Sequence, residues 1–110
     1  MSSIGLAASQ ALIYKAAINA GTGFPSMQEA AQAKILASET AIKVTNEALQ
    51  IHGAMGYSRN LPMERMARDA RMFTIGGGTA QMLRNQVASA VLEMKLPQSR
   101  DGYRDLAEKA

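Results

Sequence analysis

Four consecutive positions, Gly76-Gly77-Gly78-Thr79, offer the clearest chemistry in this chain. Glycine takes backbone angles closed to other residues and lets a ligand approach the main chain. Thr79, followed by Ala80-Gln81-Met82-Leu83, has the pattern of a capped helix start. Amides at such a start, with the positive end of the helix dipole behind them, suit an anion such as a pyrophosphate, or a substrate carbonyl oxygen. The same residues also fit a plain helix-to-helix turn. They form neither the phosphate loop G-x-x-x-x-G-K-[ST] nor a G-x-G-x-x-G that follows a strand.

Other reactive types are sparse. There is no cysteine, which removes a disulfide framework, a thiolate nucleophile and a Cys-type zinc site. The single histidine, His52, cannot build a metal site alone. It stands near the end of a helical run, where it suits the helix dipole or a bond to a backbone carbonyl, and no matching Ser and carboxylate give it a nucleophile to activate. Glu29, Glu39, Glu47, Glu64, Asp69 and Glu93 are dispersed, with none in an apolar setting suited to proton transfer, so no residue is assigned as a catalytic base. Arg65, Arg68 and Arg71 alternate with Glu64 and Asp69, the pattern of a solvated or interfacial helix face.

These residues need elements to position them, and the apolar spacing supplies helices. Leu6, Ala7, Ile13, Ala17 and Ala20 recur at helical intervals from Ser3 to about Ala20, and Gly21-Thr22-Gly23 closes that run. Ser26 can cap the next helix, with Glu29 reaching back to complete a capping box. That second helix extends to about Ile51 on a stripe of Ile35, Ile42 and Leu49, until Gly53, Gly56 and Asn60 break it. Pro62 suits the first turn of a third helix, whose apolar face is Met63, Met66, Ala67, Ala70 and Phe73, with Glu64 four residues before Arg68 on the other side. Thr79 starts a fourth helix carrying Leu83, Val87, Ala90, Val91 and Met94, which Leu96-Pro97 ends. No strand, internal repeat or low-complexity tract is found. Short connections between long helices predict an all-α antiparallel bundle over 1–97, followed by a polar, mobile tail over 98–110 with one helical turn near Asp105 to Lys109.

Bulk composition sets further limits. The 110 residues suit one small domain with a marginal core, in which 8 methionines and no tryptophan leave packing to aliphatic side chains and thioethers. The formal charge is +3, but the basic residues are scattered or interleaved with acids, so no nucleic-acid partner is expected. No apolar run approaches the length of a membrane span, and the start lacks a basic region before an apolar one. The expectation is a soluble, unexported, cytoplasmic chain.

Three ordered blocks carry a family likeness. Gln50-Ile51-His52-Gly53-Ala54-Met55-Gly56-Tyr57 resembles Q-x-x-G-G-x-G-[YF]. Leu61 through Arg71 resembles [FY]-P-[VM]-E-[RK]-x-x-R-D-[AS]-[RK], and Ile75 through Arg84 resembles I-x-E-G-T-[SA]-[EQ]-x-x-R. Together they are similar to the C-terminal signature of the acyl-CoA dehydrogenases, and the chain looks like the last three helices of that family's C-terminal four-helix domain. The resemblance implies FAD as cofactor, α,β-dehydrogenation of an acyl-CoA thioester by the full-length enzymes, and homo-oligomerisation. It also implies an N-terminal helical domain, a central β domain and a preceding helix with no counterpart in these residues.

Carried over by position, Gln50 and Gly53 match residues approaching the adenosine diphosphate half of a neighbouring subunit's FAD, although Ala54 replaces the second glycine of that pair. Thr79 and Gln81 match residues beside FAD. Pro62, Glu64, Arg65, Arg68 and Asp69 match a scaffold that holds the third helix against its neighbours. Gly77 stands where many members carry the catalytic Glu. Members of the isovaleryl-CoA type keep a small residue there and place the Glu on the preceding helix, so Gly77 fits that branch or an inactive relative. The leading expectation is an FAD-contacting, oligomerising domain that is inactive alone, and the rival is a free-standing helical interaction module that self-associates.

Overall fold

The computed structural model describes residues 2–97 and 100–109. They form five helices: α1 (Ser2–Ala20), α2 (Met27–Tyr57), α3 (Met63–Met72), α4 (Ala80–Leu92) and α5 (Arg100–Lys109). The architecture is all-α, as the spacing predicts, with α2 as its spine: α1, α3 and α4 each pack on α2, and among the described residues α5 packs on none of them.

The first joint shows how local sequence sets the path. Gly21 adopts φ 59°, a left-handed angle that lets the chain leave α1 while its N–H still bonds the carbonyl of Ile18. Ser26 then caps α2, accepting from the N–H of Glu29 at 3.2 Å. The capping box is only half made. The Glu29 carboxylate accepts from Asn19 Nδ2 at 3.1 and 3.0 Å instead, tying the start of α2 to the end of α1.

The α1 interface departs from the hydrophobic reading. Leu6 and Ile13 are exposed, and the face turned to α2 runs through Gly5, Ser9, Leu12 and Ala16. Small residues win because the helices lie close: a Cβ on Gly5 would sit 2.9 Å from Thr40 Cγ2. Ser9 is buried without penalty, since its hydroxyl donates to the Gly5 carbonyl at 2.7 Å and meets Thr40 Oγ1 at 3.4 Å. α4 in turn sets Ala80 and Leu83 in the core, and an Arg84–Glu39 ion pair at 2.6 Å joins α4 to α2.

Near its end α2 bends at Gly53, whose φ of 61° and ψ of −139° interrupt the helix before a last turn to Tyr57. Gly56 in that turn has no room for a side chain, because a Cβ would lie 2.8 Å from the Leu49 carbonyl oxygen. The tail carries a longer helix than expected. α5 spans ten residues where one turn near Asp105 to Lys109 was expected, while Gln98, Ser99 and Ala110 of that tail lie outside the described residues.

Candidate functional site

The glycine motif forms the connection from α3 to α4, and its shape follows from three local features. α3 ends in a tight turn in which the N–H groups of Ile75 and Gly76 both reach the Met72 carbonyl, at 3.0 and 2.9 Å. Gly77 and Gly78 then take φ angles of 68° and 98°, which L side chains rarely adopt. Gly78 is also fixed by space, since a Cβ there would lie 3.1 Å from Leu83 Cδ2. Thr79 returns to extended backbone and caps α4 as its position predicts, accepting from Met82 N–H at 3.1 Å.

Two anchors hold this turn in place. One is Thr74, a buried residue whose carbonyl accepts from Ala80 N–H at 3.0 Å and whose hydroxyl accepts from Arg71 Nη1. The other comes from far away in sequence. Lys34, on α2, donates its ammonium to the carbonyl oxygens of Gly76 and of Gly78, the latter at 2.8 Å. Composition alone makes Lys34 one of several scattered lysines, and no local motif marks a side chain that meets its partners more than forty residues on.

Beside the turn lies a hollow of about 250 Å³, lined by Glu39, Ile42, Arg71, Thr74, Thr79 and Gln81. Its side-chain donors are the exposed Arg71 guanidinium and the Gln81 amide, while in the first turn of α4 the N–H groups of Ala80, Met82 and Leu83 already bond Thr74 and Thr79. Among the described residues no hydrogen bond uses the N–H of Gly77, Gly78 or Thr79. Unpartnered amides and an arginine at a helix start are a donor set that fits a pyrophosphate. FAD contains one, so the residues present are compatible with that part of the cofactor.

The structure brings Thr79 and Gln81 together but sets Gln50 and Gly53 apart from them. Gln50 lies eight residues beyond Ile42 along α2, about 12 Å at helical rise, and both Gln50 and Gly53 are exposed. Positive φ at Gly53 exposes backbone there, and nothing lies within 4 Å of where its Cβ would be. The two pairs therefore form separate patches.

Gly77 presents no side chain that could take a proton. Around it, a Cβ would meet within 4 Å only the Lys34 side chain, with Nζ at 3.4 Å. His52 fills the expected structural role, its Nδ1 lying 2.8 Å from the Ala48 carbonyl. In the charged block on α3 the i,i+4 spacing of Glu64 and Arg68 is realised as a contact. Arg68 pairs with Glu64 at 2.9 Å within the helix, and Arg71 turns to Thr74. Arginine reach explains this: both partners are a single turn away. No group of metal-binding side chains occurs among the described residues.

Comparison with known proteins places these features in a family. Residues 2–92 match the model for the acyl-CoA dehydrogenase C-terminal domain, a span that takes in α1 through α4. Among similar proteins, a 3-sulfinopropanoyl-CoA desulfinase of Advenella mimigardefordensis is 58% identical over 98% of this chain and 27% of its own length. Another, from Paraburkholderia xenovorans, is 65% identical over 89% of this chain and 25% of its own. The structure of butyryl-CoA dehydrogenase from Megasphaera elsdenii superposes with a TM-score of 0.77 at 39% identity, covering 82% of this chain and 24% of that one. The chain thus spans about a quarter of the length of the curated relatives it matches.

Proposed function

The chain belongs to the acyl-CoA dehydrogenase family, as its C-terminal domain, and from that premise we propose that it is the FAD-contacting, oligomerising part of a cytoplasmic flavoprotein acting on acyl-CoA thioesters. In this reading residues 1–97 form the domain and the stretch from 98 onward lies outside it. Thr79, Gln81 and the free amides of the glycine turn hold the pyrophosphate side of one FAD, while Gln50 and Gly53 reach the adenosine diphosphate half of a neighbouring subunit's FAD. The separation of the two patches along α2 supports assigning them to different cofactors. When bound, FAD supplies a two-electron acceptor at its flavin ring; the residues of this chain bind and orient it.

The observation that carries the reading is Gly77 within an otherwise matching motif. A chain with no carboxylate there has no base at that position to remove an α-proton, so the 110 residues alone do not dehydrogenate an acyl-CoA. The same feature favours a substrate of the kind named for the two desulfinase relatives, a 3-sulfinopropanoyl thioester. Replacing the C–S bond of a sulfinate by C–H, with water supplying the proton and the oxygen of the departing sulfite, involves no net dehydrogenation.

An assay tests this directly. The purified chain, supplied with FAD, is expected neither to reduce an electron acceptor with butyryl-CoA nor to release sulfite from 3-sulfinopropanoyl-CoA. Robust turnover of either would refute the inactivity of the isolated domain.

A second reading, a self-associating helical module without flavin, draws on the large apolar side chains left in solvent. Phe24 is 96% exposed, Ile51 84% and Ile18 77%. A trough of about 520 Å³ also crosses α2 between α1 and α4, lined by Leu12, Ile35, Leu36 and Val87. Both readings require these surfaces to be covered, and flavin binding separates them.

A further inference from the structure

We propose that Lys34 is a positioning residue for the glycine turn, one that aims the N–H groups of Gly77 and Thr79 outward as a pair of anion-accepting donors. The inference rests on the FAD-contact reading for the identity of the anion, and on geometry for the rest. The ammonium of Lys34 donates to the carbonyl oxygens of Gly76 and Gly78 together. All peptide bonds described are trans. In a trans peptide unit the N–H points opposite to the C=O of the preceding residue. Carbonyls 76 and 78 are drawn toward Lys34, so the N–H groups of Gly77 and Thr79 face away from it. Those two are among the donors that no described residue satisfies.

The ammonium also explains why the turn holds. Two carbonyl oxygens converging on one point repel each other unless a cation stands between them, and two glycines in succession supply little stiffness of their own. Neither flanking bond, Gly76 N–H to Met72 or Ala80 N–H to Thr74, fixes the orientation of the peptide units at 76–77 and 78–79. Lys34 bonds to both units. Its own backbone is held in turn: the Lys34 carbonyl accepts from the buried Ser38 hydroxyl at 2.6 Å in the middle of α2. The turn is therefore referenced to the spine of the fold and not merely to α3 and α4.

The test begins with the unaltered chain. Scalar couplings across hydrogen bonds, read by nuclear magnetic resonance between Lys34 Nζ and the carbonyl carbons of Gly76 and Gly78, are expected in the wild type. Their absence, with a freely rotating ammonium signal, overturns the proposal without any variant. Lys34→Met removes the charge at similar length, and Lys34→Arg restores it. With Met, the residual dipolar couplings of the Gly77 and Thr79 N–H vectors are expected to collapse toward averaged values while those of α2 stay within error. FAD affinity is expected to fall by about tenfold or more, the equivalent of one lost charge-assisted contact, and Arg is expected to recover most of it. A Met variant that keeps both the couplings and the FAD affinity contradicts the role. If Met unfolds the chain, seen as loss of helical circular dichroism, Lys34→Gln and the wild-type couplings decide. Failure of the wild type to bind FAD defeats the FAD-contact reading alone, because the N–H orientation is measured without cofactor.

Discussion

Gly78 is the most constrained position in the turn. Its φ of 98° opposes substitution, and so does space, since a Cβ there would stand 3.1 Å from Leu83 Cδ2. Gly78→Ala is expected to destabilise the chain by about 1–3 kcal/mol, measured by urea denaturation. Gly23→Ala serves as the control: it meets only the Ala20 carbonyl oxygen, at 3.7 Å, and is expected to stay within about 0.5 kcal/mol of wild type. At this scale the sequence is informative where chemistry is local. Thr79 caps α4 through a residue three places on, and His52 bonds a carbonyl four places back, both within the reach of a pattern. Glu29 and Lys34 are not legible in that way. Their partners, Asn19 and the glycine carbonyls, are delivered by tertiary packing, and a capping motif or a charge count contains no term for it.

The helices and their order follow from apolar spacing and punctuation by Gly, Pro, Ser and Thr. The faces they turn inward are harder to read. In α1 the stripe of Leu6 and Ile13 suggests one side, and close approach to α2 selects another, where Gly5, Ser9 and Ala16 let the backbones near each other. The consequence is a contrast that hydrophobicity alone predicts in reverse. Gly5→Leu is expected to push α1 off α2 and cost about 1–3 kcal/mol by overpacking against Thr40. Leu6→Ala and Ile13→Ala, at exposed sites, are expected to change the stability of this chain by about 0.5 kcal/mol or less. Chemical denaturation of the three variants measures both sides of the comparison. The bend in α2 has a similar origin: glycine at 53 is readable as a break, but the resumption of helix to Tyr57 depends on Gly56 fitting against the Leu49 carbonyl. Gly56→Ala is accordingly expected to loosen this last turn, seen as faster amide exchange at Ser58, whose N–H bonds Ala54.

As a whole the molecule is elongated. Its radius of gyration is 17.5 Å, against about 13 Å for a compact domain of this length. Among the described residues no large side chain is fully buried, and the core consists mainly of alanines around α2. Surfaces of this kind stabilise a fold by being covered, so sedimentation at micromolar concentration is expected to find dimers or larger species; a stable monomer would count against an oligomerising role. Family membership and the all-α architecture are legible because three motifs lie in order along the chain. The split of the motif residues into two patches agrees with the assignment of Gln50 and Gly53 to a neighbouring subunit's FAD, but that Thr79 and Gln81 share a hollow with Glu39 and Ile42 of α2 is set by packing alone. On the proposed reading this surface receives FAD, and amide chemical shifts recorded during an FAD titration of the wild-type chain test that contact. Saturable shifts are expected at Gly77, Thr79 and Gln81, with a second set at Gln50 and Gly53. Unchanged spectra at millimolar FAD, or shifts confined to α1 and α5, would contradict it.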